Sequence, residues 1–299
     1  MAGMGRGGSS SGAGGAGAAA GFAPSTDCSG AFGEVKLVFT GTAGVTPTSL
    51  SVTGDDLELY YAEDRDDGGH ILVRKRASRD APLGEPVELA AELFAWCPVN
   101  GQPSLDVSDN GLRLYLTCID LAVTPMGPIR VAERADRNAM FTLRPDALGM
   151  AGLSISVSPD ELSALSTDFT NPDLPTAALG ERSSLALPFG SPGQVPGISS
   201  KVQNPEFVGD TLHLFGAVDA GNTLARLAMF TRESRLVPFG APSSAGLPVP
   251  PSLDDDPTTT RIESISDFTP TLSADCRSIY LLRITARSQY TYEVYSARR

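Results

Sequence analysis

Ser49-Leu50-Ser51-Val52, then Thr53-Gly54-Asp55-Asp56, then Leu57-Glu58-Leu59-Tyr60-Tyr61: this stretch decides the fold. Two short runs rich in apolar residues flank a turn. Gly and Asp tolerate positive φ or bond their own backbone, which is what a tight hairpin demands. The second run alternates as a half-buried strand does. Asp64 and Arg65 follow, then a third run at Ile71-Leu72-Val73 and a turn at Pro82-Leu83-Gly84-Glu85-Pro86 that leads to a fourth.

The same order recurs. A second copy runs from Ser104-Leu105-Asp106-Val107 through Asp109-Asn110-Gly111 to Leu112-Arg113-Leu114-Tyr115-Leu116, then Asp120 and Ile129-Arg130-Val131-Ala132. A third, more degenerate, runs from Leu153 through Pro159-Asp160 to Asp168 and Pro188-Phe189-Gly190. A fourth spans Asn204-Pro205-Glu206-Phe207, Leu212-His213-Leu214-Phe215, Asp219 and Pro238-Phe239-Gly240. A fifth spans Pro270 to Asp275, Ile279-Tyr280-Leu281-Leu282 and Tyr292-Glu293-Val294-Tyr295. The period is roughly 50 residues, within the range of propeller blades, and no copy shows helical periodicity. The sequence therefore predicts an all-β fold, a five-bladed β-propeller of four-stranded antiparallel blades.

The fifth copy has only three strands. Its fourth is expected at the other end of the chain, where Ala31-Phe32-Gly33-Glu34-Val35-Lys36-Leu37-Val38 repeats the Phe-Gly turn and outer strand. An N-terminal strand in that place closes the ring and removes an open sheet edge. The expected division is a tail over 1–30, rich in Gly, Ala and Ser, and one propeller domain over 31–299. Residues 1–22 are too poor in bulky apolar groups to offset the entropy of ordering, so disorder is expected there.

The copies resemble WD40-like β-propeller repeats of the TolB type. The match lies in Ser104 to Tyr115, Pro270 to Tyr280, Ser49 to Tyr61 and Asp64-Arg65. The resemblance implies a periplasmic or surface-attached binding module.

Up-and-down strands assign each loop to one end of the ring. Cys97 and Cys118 then fall at one end, Cys28 and Cys276 at the other. Disulfides Cys97–Cys118 and Cys28–Cys276 are compatible with the fold, and four buried thiols are the alternative. The net charge of −12 argues against a nucleic-acid partner. No apolar run approaches the about 18 residues of a transmembrane helix. No compact signal-peptide core is visible; the tail resembles the spacer after a lipid anchor, so the expected location is the periplasm or cell surface, as a lipoprotein whose export signal lies upstream.

Four copies carry Asp after the second strand: Asp64, Asp120, Asp168 and Asp219. They are candidates for a divalent cation or a basic partner, against the plainer role of bonding loop backbone. The acidic runs Glu63–Asp67 and Asp254-Asp255-Asp256 read as solvated loops, and His70 and His213 as structural histidines. No nucleophile elbow, phosphate loop or zinc-protease motif occurs, and no cofactor is expected. The leading expectation is a noncatalytic binding or scaffold module, monomeric, for a protein or glycan ligand. The rival is a polysaccharide hydrolase or lyase with its site at the channel mouth.

Overall fold

The computed structural model describes residues 28, 30–42, 45–98, 101–120, 127–152, 154–168, 176–198, 201–219, 225–244, 246–247, 268–285 and 291–299. The tail before Cys28, the start of the third copy at Leu153 and the run Asp254–Asp256 lie outside them.

Strands group into five antiparallel sheets. Blade 1 is β2 (Thr46–Val52), β3 (Glu58–Arg65), β4 (Gly68–Lys75) and β5 (Val87–Glu88). Blade 2 is β6 (Gly101–Val107), β7 (Arg113–Asp120), β8 (Arg130–Glu133) and β9 (Thr142–Leu143). Blade 3 is β10 (Ile155–Val157), β11 (Ser163–Asp168), β12 (Thr176–Glu181) and β13 (Gly193–Gln194). Blade 4 is β14 (Val202–Val208), β15 (Asp210–Asp219) and β16 (Ala225–Thr231); its fourth strand shrinks to a bridge between Met229 and Ser243. Blade 5 is β17 (Phe268–Leu272), β18 (Ser278–Thr285) and β19 (Thr291–Arg298). Its outer strand is β1 (Lys36–Thr40), from the N-terminal end. A single 3-10 turn, Ala91–Leu93, is the helical element among the described residues.

The ring closes as the repeat demands. The N–H of Gly33 bonds the carbonyl of Arg298 at 2.8 Å, as Gly84 bonds Lys75, Gly190 bonds Glu181 and Gly240 bonds Thr231. The closing strand starts at Lys36, later than the sequence suggests, because 32–35 form the turn rather than the ladder.

The sheets stand radially, so each blade is covered on both faces. Five apolar clusters result, one per interface. Leu105 and Val107 of blade 2 pack on Tyr60, Ala62, Ile71 and Val73 of blade 1. Leu50, Val52, Leu59 and Tyr61 of blade 1 pack the other way, on Tyr280, Leu282, Tyr292 and Val294 of blade 5. Leu59, Tyr60, Tyr61 and Ala62 are thus all buried, where alternation alone predicts a half-buried strand. A strand sandwiched between two neighbours has no solvent face.

A second repeat is chemical. In blades 1, 2, 3 and 5 a hydroxyl opens the first turn and donates to an Asx two residues on: Thr53 to Asp55, Ser108 to Asn110, Ser158 to Asp160 and Ser273 to Asp275. The next turn position is left-handed, at Asp56 (φ 62°), Gly111 (73°), Glu161 (57°) and Cys276 (58°). Glycine enters that region without cost, and the other three are held there by the surrounding bonds.

Both disulfides are present, Cys28–Cys276 with Cα atoms 5.4 Å apart and Cys97–Cys118 with 5.6 Å. The first ties the segment that leads into β1 to the first turn of blade 5. The second ties the connection entering blade 2 to its second strand.

Candidate functional site

Five inner strands, β2, β6, β10, β14 and β17, line the central channel. Each has one sheet neighbour, so the N–H groups on its other edge need acceptors. The preceding blade supplies them. Ser51 Oγ accepts from the Val107 N–H at 3.0 Å, and Ser49 Oγ from the Leu105 N–H at 3.0 Å. Asp106 Oδ2 accepts from Val157 N–H at 2.6 Å, Ser156 Oγ from Phe207 N–H at 3.0 Å, and Glu206 Oε1 from Leu272 N–H at 3.1 Å. Ser51, Asp106, Ser156, Glu206 and Thr271 occupy one register position in successive blades. They form a ring of side chains, four of which, Ser51, Asp106, Ser156 and Glu206, latch an inner strand to the next.

Two members of the ring are acids. Asp106 also accepts from Ser51 Oγ at 2.6 Å, and Glu206 from Thr271 Oγ1 at 2.8 Å. Burial pushes the Asp106 carboxyl up to about 7, against the lowering effect of its Ser51 and Val157 bonds. Burial, then the nearby Asp106, raises Glu206 well above the usual carboxylate range. The half-buried Asp109 rises to about 6 through burial and the charges of Glu161 and Asp55. The cavity among these strands has a volume of about 20 Å³, lined by Thr48, Ser49, Ser104, Ser154 and Asn204 as well as the two acids. That is room for about one water molecule.

Towards the rim, an arginine ends the third strand of each blade. Arg76, Arg134, Arg182 and Arg232 donate Nε to the first-turn carbonyls of Asp56, Gly111, Glu161 and Thr211. Arg134, Arg182, Arg232 and Arg299 also lie over Phe141, Phe189, Phe239 and Phe32, with the guanidinium carbon 4.2–4.5 Å from each ring centre. This explains the Phe of the Phe-Gly turn: it is the platform for a buried cation. Three further arginines cross to the preceding blade, Arg79 to Asp275, Arg137 to Asp55 and Arg235 to Asp160. Neither the ring nor these arginines is among the sequence expectations. The signal for the second was present, since Arg precedes Leu83, Phe141, Phe189 and Phe239 at constant spacing.

The four aspartates singled out from the sequence stand at the same end of the second strands β3, β7, β11 and β15. Asp64 is half-buried, and burial with the charge of Asp66 raises its carboxyl. The side chains of Asp120, Asp168 and Asp219 lie outside the described residues. Among the described residues no three His, Cys, Asp or Glu side chains are grouped to hold a metal ion. His213 bonds Asp210 at 3.0 Å. His70 sits between Asp67 and Glu88 at 2.8 and 2.7 Å, and these bonds raise its imidazole although burial works the other way. Among the described residues no helix is long and apolar enough to cross a membrane.

No family model and no curated protein matches the chain. Solved structures do match. The GH43_1 enzyme from Xanthomonas citri complexed with xylotriose superposes with a TM-score of 0.55 at 12% identity, covering 87% of this chain and 88% of that one. The likeness is one of fold. The Bacteroides ovatus xyloglucan PUL GH43B gives 0.52 at 16% identity over 87% of this chain, which spans 54% of that protein. TolB from Acinetobacter baumannii gives 0.43 at 12% identity over 83%, and the chain spans about half of it, 54%.

Proposed function

We propose that the chain is a noncatalytic β-propeller module, exported to the periplasm or cell surface, that binds a protein or glycan ligand. One observation carries this reading. Among the described residues, the two carboxylates that line the channel cavity are both spent on bonds between blades. Glycoside hydrolysis by paired carboxylates needs them on either side of an open space that admits the sugar, at least about 5 Å apart. Asp106 and Glu206 instead flank a cavity of about 20 Å³, and each is bonded to the backbone of the next blade. The two disulfides support an oxidising compartment.

The rival reading, a polysaccharide hydrolase or lyase, shares only the fold with the GH43 structures. The discriminating experiment incubates the purified chain with xylan, arabinan and xyloglucan, analyses products by chromatography, and screens the same glycans for binding by calorimetry. The expected outcome is no released sugar from the wild type, with any affinity found unaltered in Asp106→Asn. Glycan cleavage that disappears in Asp106→Asn or Glu206→Gln, with the fold intact by circular dichroism, overturns it.

A further inference from the structure

The inner ring mixes three hydroxyls with two acids at one register position. Ser51 and Ser156 show that a hydroxyl suffices there. Asp106 is buried and Glu206 half-buried, and both line the same small cavity, with no Lys, Arg or His among its lining residues. Asp106 faces Ser51 of β2 and the Val157 N–H of β10; Glu206 faces Thr271 and the Leu272 N–H of β17. The other charges acting on them are their own: each other and Asp109, behind which stand Glu161 and Asp55. Arg76, Arg134, Arg182 and Arg232 of the rim girdle bond elsewhere, to first-turn carbonyls.

We propose that Asp106 and Glu206 form a proton-dependent latch: the ring is tight while the pair holds protons, and loosens between β6 and β10 and between β14 and β17 as both ionise. Burying one carboxylate without a cation is costly, and two in one cavity repel. The sign follows from the direction of the shifts. A group whose folded-state pKa lies above its unfolded value adds stability that is complete below the unfolded value and is lost as pH rises through the folded one. For Asp106 that window opens near the ordinary carboxylate range and closes at about 7; Glu206 carries the loss further upward.

The test measures urea unfolding and amide exchange at pH 5 and pH 8.5. It uses His70→Gln as background, which removes the imidazole held by Asp67 and Glu88. The folding constant of this protein is expected to fall by about tenfold or more between the two pH values. Adding Asp106→Asn and Glu206→Gln, which keep an acceptor oxygen for each N–H, is expected to remove most of that fall. The protection factors of Val157 and Leu272 should drop at pH 8.5 in the first protein only. If the amide variants do not fold, Asp106→Ser with Glu206→Thr installs the side chains that blades 1, 3 and 5 already use. Isotope-edited infrared spectroscopy gives an independent reading: a protonated carboxyl band at neutral pH that disappears with both acids replaced. Equal pH dependence in all proteins, or the absence of that band, overturns the latch.

Discussion

The seam where the ring closes, between blades 5 and 1, differs in kind from the seam between blades 3 and 4. The latter is mainly an apolar contact, Leu165 and Ala177 of blade 3 against Val202, Phe207, Leu214 and Phe230 of blade 4, with the Ser156–Phe207 latch and the Arg235–Asp160 pair at its edges. The closing seam has apolar packing too, with Phe39, Tyr61 and Tyr292 in ring contact at 5.4–6.3 Å. It adds buried carboxylates as acceptors. Asp56 accepts from Ser278 Oγ at 2.5 Å and from Tyr280 at 2.8 Å, and pairs with Arg76 of its own blade. Glu63 accepts from Tyr292; the Arg79–Asp275 pair here has its counterpart in Arg235–Asp160 there. Blades 3 and 4 are consecutive in the chain, so little entropy is lost in bringing them together. Blade 5 touches blade 1 in the chain only through β1 and the run 41–45; β17, β18 and β19 reach the seam only through the whole ring. Apolar contact is non-directional, whereas hydrogen bonds fix register, and β17–β19 meet blade 1 without a short connection of their own to fix it.

The largest expected effect comes from cutting the staple. Cys28–Cys276 closes a sequence separation of 248, Cys97–Cys118 one of 21. Chain entropy assigns them about 5 and about 3 kcal/mol. Replacing Cys28 and Cys276 by Ser should therefore lower stability in urea more than replacing Cys97 and Cys118. It should also raise amide exchange in β1 and β19 ahead of the rest. If the local bridge proves the more costly one to lose, the closing seam is not the weak point of the ring.

Next comes the buried acid. Asp56→Ala leaves the Arg76 guanidinium, 4% exposed as its side chain stands, without its carboxylate. Stranding a buried charge costs about 3–5 kcal/mol, measured as a fall in the unfolding free energy. Leu165→Ala at the apolar seam falls in the range of about 2–5 kcal/mol. The sharper contrast is in exchange: Asp56→Ala should deprotect β18 and β2 together, while Leu165→Ala should affect β11 and β14.

The architecture was legible in the sequence because its signals are local. Turn chemistry repeats at Thr53-Gly54-Asp55, Ser108-Asp109-Asn110 and Ser273-Ala274-Asp275, and the spare Phe32-Gly33 announces its missing blade. The disulfide pairs agree with which end of the ring each loop occupies, but that placement alone left four buried thiols open. The channel ring was not legible. Ser51, Asp106, Ser156, Glu206 and Thr271 share a register but no residue type, and what unites the first four is the backbone N–H of a neighbouring blade, which only the assembled ring supplies. Asp64 and its three counterparts stood out by spacing, yet spacing says nothing of whether carboxylates converge. The reduced outer strand of blade 4 was hidden for the same reason: Pro238-Phe239-Gly240 keeps the turn, and the turn does not dictate how many residues pair after it.

The smallest effect tests whether the cross-blade arginines are a repeat unit or separate accidents. Arg79, Arg137 and Arg235 each reach an Asp of the preceding blade, at 275, 55 and 160. At the equivalent place blade 3 has Leu185, 37% exposed, and the position it would meet in blade 2 is Asn110 rather than Asp. Both halves of the pair are missing together, which leaves no unpaired charge. Asn110 still serves the turn, accepting from Ser108 Oγ at 2.9 Å and the Leu112 N–H at 2.8 Å, and an aspartate keeps both bonds. Leu185→Arg with Asn110→Asp should therefore install a fourth cross-blade pair, with a double-mutant coupling of about 0.2–1 kcal/mol that shrinks in high salt. A coupling of zero at low salt would mean that the blade 2–3 seam differs in geometry from its counterparts, and that its apolar variant is fitted to that seam.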